Sequence, residues 1–117
     1  MNANQPLALR GADIGHKFRD TPEARFISQL SGNTETCDFR PYQGCMDLAF
    51  VDAAHDYPHV RQDSRNALKF VKPGGWVAWH DVSVQWHGVV RAVSETCAAA
   101  GLQPIRIFQT TLAVVQV

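Results

Sequence analysis

The chain has 117 residues, with 11 Lys+Arg balanced by 11 Asp+Glu and a formal net charge of zero. That length allows one small domain with its own core, and the balance leaves no global field to draw it onto nucleic acid or an anionic membrane. No apolar run approaches the ~20 residues of a membrane span and the first residues carry no signal-peptide pattern, so a cytoplasmic location is expected.

Residues 1–18 are polar and without sustained period, which predicts an irregular or flexible arm ahead of a single α/β domain over 19–117. Thr21-Pro22-Glu23 is a helix-start signal. Residues 25–30 (RFISQL) suit a strand or a continuing helix nearly equally, and Ser31-Gly32-Asn33-Thr34 breaks either one. A loop follows over 35–44. Cys37, Cys45 and Cys97 are odd in number and form no CxxC pair, so they read as reduced thiols rather than a disulfide or zinc set.

Residues 47–52 (DLAFVD) form the first clear strand, apolar on both faces as parallel strands are. Asp56 and Pro58 start a helix whose Val60, Ala67, Leu68 and Val71 make one stripe, while Arg61, Gln62, Arg65 and Lys69 face water. Lys72-Pro73-Gly74-Gly75 should end that helix and turn the chain into a strand over 76–79, closing a right-handed βαβ unit. A loop bearing Trp86 and His87 leads to another helix, with Val89, Val90, Val93, Cys97 and Ala100 inward and Gly101 at its end. Arg91 and Glu95 form an i, i+4 pair on its wet side. Residues 105–108 and 112–117 read as an antiparallel hairpin.

The two parallel strands end in Asp52 and in His80-Asp81, with His55 just beyond the first. Open α/β sheets bind ligands at that end. Two carboxylates and two imidazoles there could hold a hard divalent cation or position a general base. Bland alternatives stand beside this: His55 as a residue that only opens the helix, His80 as a hydrogen-bonded core histidine. Asp56 reads as an N-cap and Asp63 as a solvated helix residue, and His16, His59 and His87 have no assignable partner. Gly74-Gly75 precedes a strand rather than opening a helix, so it reads as a turn and not a phosphate loop. Trp76 and Trp79 suit the core, and Trp86 a lid over the site.

The blocks MDLAFVDAAHDYPHVRQD and LKFVKPGGWVAWHD, in that order and spacing, resemble the carboxyl-terminal two-thirds of a class I S-adenosylmethionine-dependent methyltransferase of the small-molecule and sugar O-methyltransferase branch. The resemblance implies a truncated Rossmann-like sheet with helices on both faces and a C-terminal antiparallel hairpin. It implies S-adenosylmethionine as cofactor, with Gly32, Asn33 and Asp52 on the cofactor side, and a small-molecule hydroxyl as methyl acceptor, with no nucleic-acid or membrane partner. Asp52, His80 and Asp81 would hold a divalent metal such as Mg2+, and Asp52, His55 and Asp81 would serve catalysis, His55 as the base. The family usually has Asp where this chain has Asn33, and no glycine-rich GxGxG cofactor loop occurs. A strand that in that fold lies beside residues 47–52 is therefore missing, which leaves an apolar edge to be covered by the N-terminal segment or by a second copy in a homo-oligomer. Two functions stay open: methyl transfer, or a non-catalytic homo-oligomeric binding or assembly module built on the same half-sheet.

Overall fold

The computed structural model describes residues 14–117. The described residues fall into two compact units, residues 14–33 and 34–117. Of the expected arm over 1–18, residues 1–13 lie outside the described residues.

In the first unit, Gly15 turns the chain with φ +81 into α1, a single helical turn over His16–Arg19. The Thr21 hydroxyl donates to the Phe18 carbonyl at 2.6 Å, and Pro22 opens a 3-10 helix over Pro22–Phe26. At Ile27 the backbone is extended, and residues 27–30 belong to no helix or strand. The expectation of a strand or longer helix over 25–30 is thus corrected to the end of one 3-10 helix followed by irregular chain. An isolated apolar run has no strand to pair with and too few residues to sustain a helix alone.

The second unit carries a four-stranded sheet ordered β1-β2-β4-β3, with β1 at Met46–Val51, β2 at Val71–Trp79, β3 at Ile105–Arg106 and β4 at Ala113–Gln116. β1 and β2 are parallel, and β4 runs antiparallel to both β2 and β3. Helix α2, Tyr57–Phe70, connects the parallel pair, and α3, His87–Ala99, leads to the hairpin.

Local chemistry sets these boundaries. Asp56 accepts from the His59 N–H at 3.3 Å and Pro58 occupies the first turn, so α2 begins where its orphan donors are satisfied. Helix α2 passes directly into β2 at Val71. The Lys-Pro-Gly-Gly segment, expected as a free turn, lies inside β2 as a bulge. Met46 pairs with Val71 but Leu48 pairs with Trp76, so the four residues between are looped out of register. Gly74 supplies a φ of +87 there. Gly75 is required for another reason: a Cβ on it would fall 2.4 Å from Val71 Cγ1 and 2.6 Å from the Asp47 carbonyl.

The core lies between one sheet face and the two long helices. Val77, Trp79 and Val115 from the sheet meet Val60 and Ala67 of α2 and Val89, Val93 and Cys97 of α3. Trp79 is fully buried, and its indole N–H donates to Ser64 Oγ at 2.9 Å, while that hydroxyl donates to the Val60 carbonyl at 2.6 Å. Burial pushes the Cys97 thiol up to about 11, which keeps it an inert packing group. All three cysteines are free, as expected. The inner stripe of α3 differs from the expected one: Ala92 and Thr96 are buried, whereas Val90 and Ala100 are exposed.

The other sheet face is open. Leu48 is 61% and Phe50 55% exposed, and Trp76 and Ile105 are exposed beside them. Trp76 is therefore a surface residue, correcting its expected place in the core. β1 is the edge strand, hydrogen-bonded among the described residues to β2 alone.

Candidate active site at the carboxyl ends of the parallel strands

Strands β1 and β2 run in the same direction with Val51 opposite Trp79, so the residues that follow them emerge side by side. Asp52 follows β1, His80 and Asp81 follow β2, and the His80 N–H still donates to the Val51 carbonyl at 3.1 Å. One ligand atom from each of Asp52, His80 and Asp81 lies within 4.8 Å of the others. Asp81 has a left-handed backbone, φ 60, a conformation in which Asp is among the better tolerated residues. The turn it starts is tied down by Val82 N–H to the Thr111 carbonyl at 2.8 Å and by Ser83 N–H to the Asp81 carbonyl at 3.0 Å.

The carboxylate of Asp81 serves both histidines. Its Oδ2 is 2.7 Å from His55 Nε2, and its Oδ1 is 2.9 Å from His80 Nδ1. The His55 hydrogen bond first, and the His80 imidazole second, hold its carboxyl below the usual range. Asp81 is then an acceptor only, so His55 Nε2 donates to it, and in the neutral form of the ring Nδ1 holds the lone pair. The imidazole plane is fixed as well. Trp86 stacks on it with centroids 3.9 Å apart and planes 12° from parallel, and a Cβ on Gly88 would fall 2.8 Å from the His55 carbonyl, so α3 begins hard against this segment.

His80 Nδ1 is buried, and neither Asp81 Oδ1 nor Asp52 Oδ1, 3.4 Å away, meets it in hydrogen-bonding alignment. A buried imidazole nitrogen facing two carboxylate oxygens without an aligned hydrogen bond is a donor set for a hard or borderline divalent cation.

Beside this cluster a cleft of about 470 Å³ runs along β1, lined by Phe39, Phe50, Asp52, Asp63, Asn66 and Phe70 among others. Asp63, expected as a solvated helix residue, faces this cleft with a buried Oδ1 that has no hydrogen-bond partner. Two further residues escaped the sequence reading. His59 bonds Asp56 through Nδ1 and lies 2.8 Å from Glu35 through Nε2, and Gln62 donates to the Thr34 carbonyl at 3.3 Å. Together they fasten the segment before β1 to α2, a pairing across 24 residues that no local pattern reveals.

Of the expected site residues, Asp52, His55, His80 and Asp81 come together here. Gly32 and Asn33 belong to the amino-terminal unit, where Gly32 forms a bend with φ 148.

A parallel β-α-β pair with acids and imidazoles at its carboxyl ends, continued by an antiparallel hairpin, defines an α/β domain of the Rossmann-like class that binds its ligand beyond the strand ends. A family model described as a methyltransferase domain matches residues 7–82, more than half of the chain and the whole strand-end cluster, and the chain belongs to that family. No curated protein matches it. Among the described residues no helix is long and apolar enough to cross a membrane.

Proposed function

We propose that this domain transfers a methyl group from S-adenosylmethionine to the hydroxyl of a small molecule, with His55 as the base that takes the hydroxyl proton. The observation that carries this reading is the His55-Asp81 hydrogen bond on a ring clamped by Trp86. A carboxylate that accepts from Nε2 fixes the tautomer, orients Nδ1 as the proton acceptor and stabilises the imidazolium that forms. When bound, the cofactor supplies an electrophilic methyl on a sulfonium. This chain's part is to hold and deprotonate the attacking oxygen, the step that general-base and positioning effects accelerate. The cleft along β1 suits a cationic, partly apolar ligand, since it combines the Asp52 and Asp63 carboxylates with the rings of Phe39 and Phe50. Asp52, His80 and Asp81 would hold a divalent ion such as Mg2+, which would supply electrostatic stabilisation to an acceptor oxygen.

Calorimetric titration of S-adenosylmethionine into the folded chain, with and without magnesium, tests the cofactor. Saturable binding lost in Asp52→Ala supports the reading. Turnover in the presence of a hydroxyl acceptor should fall by roughly 10²–10⁴ in His55→Ala, with circular dichroism unchanged. Absence of binding by a folded sample overturns the enzymatic reading.

A second reading is favoured by the open edge of β1 and the apolar face bearing Leu48, Phe50 and Trp76. In it the unit pairs with a second copy through residues 47–52 and acts as an assembly module. Self-association that survives both Asp52→Ala and His55→Ala, with no cofactor binding, would select it.

A further inference from the structure

Helix α2 has a second cleft on its other side. Asp63, Asn66 and Phe70 face the cleft along β1, whereas Arg61, Arg65, Leu68 and Lys69 line a groove of about 400 Å³ completed by Glu95, Thr96 and Ala99 of α3. We propose that this groove between α2 and α3 is a binding site for a small organic polyphosphate, whose phosphate chain lies along the row Arg61, Arg65, Lys69.

The charges come first. These three cations stand at i, i+4 and i+8, one above another over about 12 Å of helix. Like charges at i, i+4 are unfavourable for a helix in isolation. Arg65 and Lys69 have no acid within ion-pair distance among the described residues. The one acid lining the groove, Glu95, is already engaged by Arg91 at 3.0 Å and by the Tyr57 hydroxyl. Arg91 in turn lies over the Tyr57 ring, 4.1 Å from its centroid. Glu95 is thus committed to its own cluster, and its charge reaches Arg61 at the near end of the row but leaves Arg65 and Lys69 uncompensated, which a bound anion would correct.

The second observation is independent of charge. Thr96 lines the groove at 7% exposure, and its hydroxyl is buried without a hydrogen-bond partner. The contrast with Ser64 on the facing helix is informative, because that hydroxyl both donates and accepts. A threonine hydroxyl in a helix has two accessible χ1 positions, so rotation at Thr96 can present a donor to a ligand oxygen without moving backbone.

The ligand class follows from what surrounds these groups. Two guanidinium forks and one ammonium match phosphate oxygens in bidentate and point-charge modes. Leu68, Ala99 and Ala100 give the groove an apolar wall that an inorganic ion would not use. Its volume falls within the range of small-molecule sites, and the zero net charge of the chain provides no wider basic field for a nucleic acid.

The test uses the purified full chain at low ionic strength with EDTA, which removes any metal-mediated binding at Asp52, His80 and Asp81. Inorganic triphosphate titrated calorimetrically should bind saturably at one site. Arg65→Glu and Lys69→Glu should each weaken binding about tenfold or more, and Thr96→Val, which keeps the shape and removes the hydroxyl, about threefold or more. Arg65→Gln and Lys69→Gln serve if the charge reversals do not fold. ADP should bind more tightly than pyrophosphate, because only ADP offers an organic part to the apolar wall, and equal binding would overturn the assignment to an organic polyphosphate. Heat that never saturates, or saturable binding unmoved by the Arg65 and Lys69 variants, overturns the proposal. Because the strand-end residues take no part, loss of S-adenosylmethionine binding in Asp52→Ala with triphosphate binding intact separates the two sites.

Discussion

His59 shows what a single side chain can do when its partners come from distant parts of the chain. Its two ring nitrogens face Asp56 and Glu35, with Asp63 contributing at longer range, and the Asp56 hydrogen bond raises its pKa above the ordinary 6.5. Asp56 is lowered by the same contact. For a group raised on folding, the stabilisation is fully present below its unfolded value and is lost as pH rises through the folded one. The clamp on residues 34–38 should therefore hold at mildly acidic pH and slacken above 6.5, as His59 loses its proton. The His59 ring signals should titrate with a midpoint above 6.5, returning toward 6.5 in Asp56→Asn, and amides 34–38 should exchange faster above the wild-type midpoint. A midpoint at or below 6.5 in the wild type would sink the clamp. The sequence displayed Asp56 as a cap because capping is local, but the Glu35 contact spans a loop. The same limit applied to the strand-end residues in reverse: Asp52, His55, His80 and Asp81 were legible because two parallel strands impose their convergence, whereas the Asp81 bridge and the Trp86 stack depend on side-chain positions that spacing does not fix.

At the level of elements, the Lys-Pro-Gly-Gly segment joins helix to strand without leaving the sheet. Gly74 N–H donates to the Val117 carbonyl at 2.7 Å, Val117 N–H donates to the Gly75 carbonyl at 2.9 Å, and Gln116 Nε2 donates to the Gly74 carbonyl at 3.0 Å. These bonds turn an apparent connection into a bulge held by β4 on one side and packed against β1 on the other. Pro and Gly announced an interruption in the sequence, but whether the interruption lies outside the sheet or within it depends on the terminal strand. Gly75→Ala should accordingly destabilise the unit by about 1–3 kcal/mol, as forced overpacking does, since its new methyl would meet the Asp47 carbonyl at 2.6 Å. Gly74→Ala has open space around its Cβ, so its penalty should come from its positive φ rather than from a clash. Urea denaturation of the two variants separates these causes: equal loss in both would show that the close approach at Gly75 is relieved by local movement. The α2 stripe and the Arg91-Glu95 pair were read from period alone, because helix faces repeat regularly. The α3 stripe drifted by one position because Ala92 and Thr96, small or polar, gave no hydrophobic signal.

For the whole unit, the open side of the sheet is an exposed apolar surface. Burying an apolar side chain such as Leu or Phe contributes about 1.5–3 kcal/mol, so an exposed Leu48, Phe50, Trp76 and Ile105 is a strong drive toward association. Light scattering should report a dimer, with amides 47–52 slow to exchange. Leu48→Lys should shift the mass toward monomer and leave the circular dichroism unchanged. A wild-type monomer in which those amides exchange quickly would remove the assembly reading. This edge was legible in the sequence because the order of the strands follows from their spacing, and among the described residues β1 pairs with β2 alone.

The sheet order has a temporal consequence as well. β4 lies between β2 and β3, so the residues that arrive late in this sequence occupy an interior lane of the sheet. Until residues 112–117 are available, β2 has a bare side and β3 has no strand to pair with, and the bulge at Gly74-Gly75 lacks its three fasteners. The unit cannot lock progressively from its amino-terminal side. It closes like a clasp, by insertion of residues 112–117, so nascent chains halted before Leu112 should remain sensitive to protease while those in which Val117 has emerged become resistant.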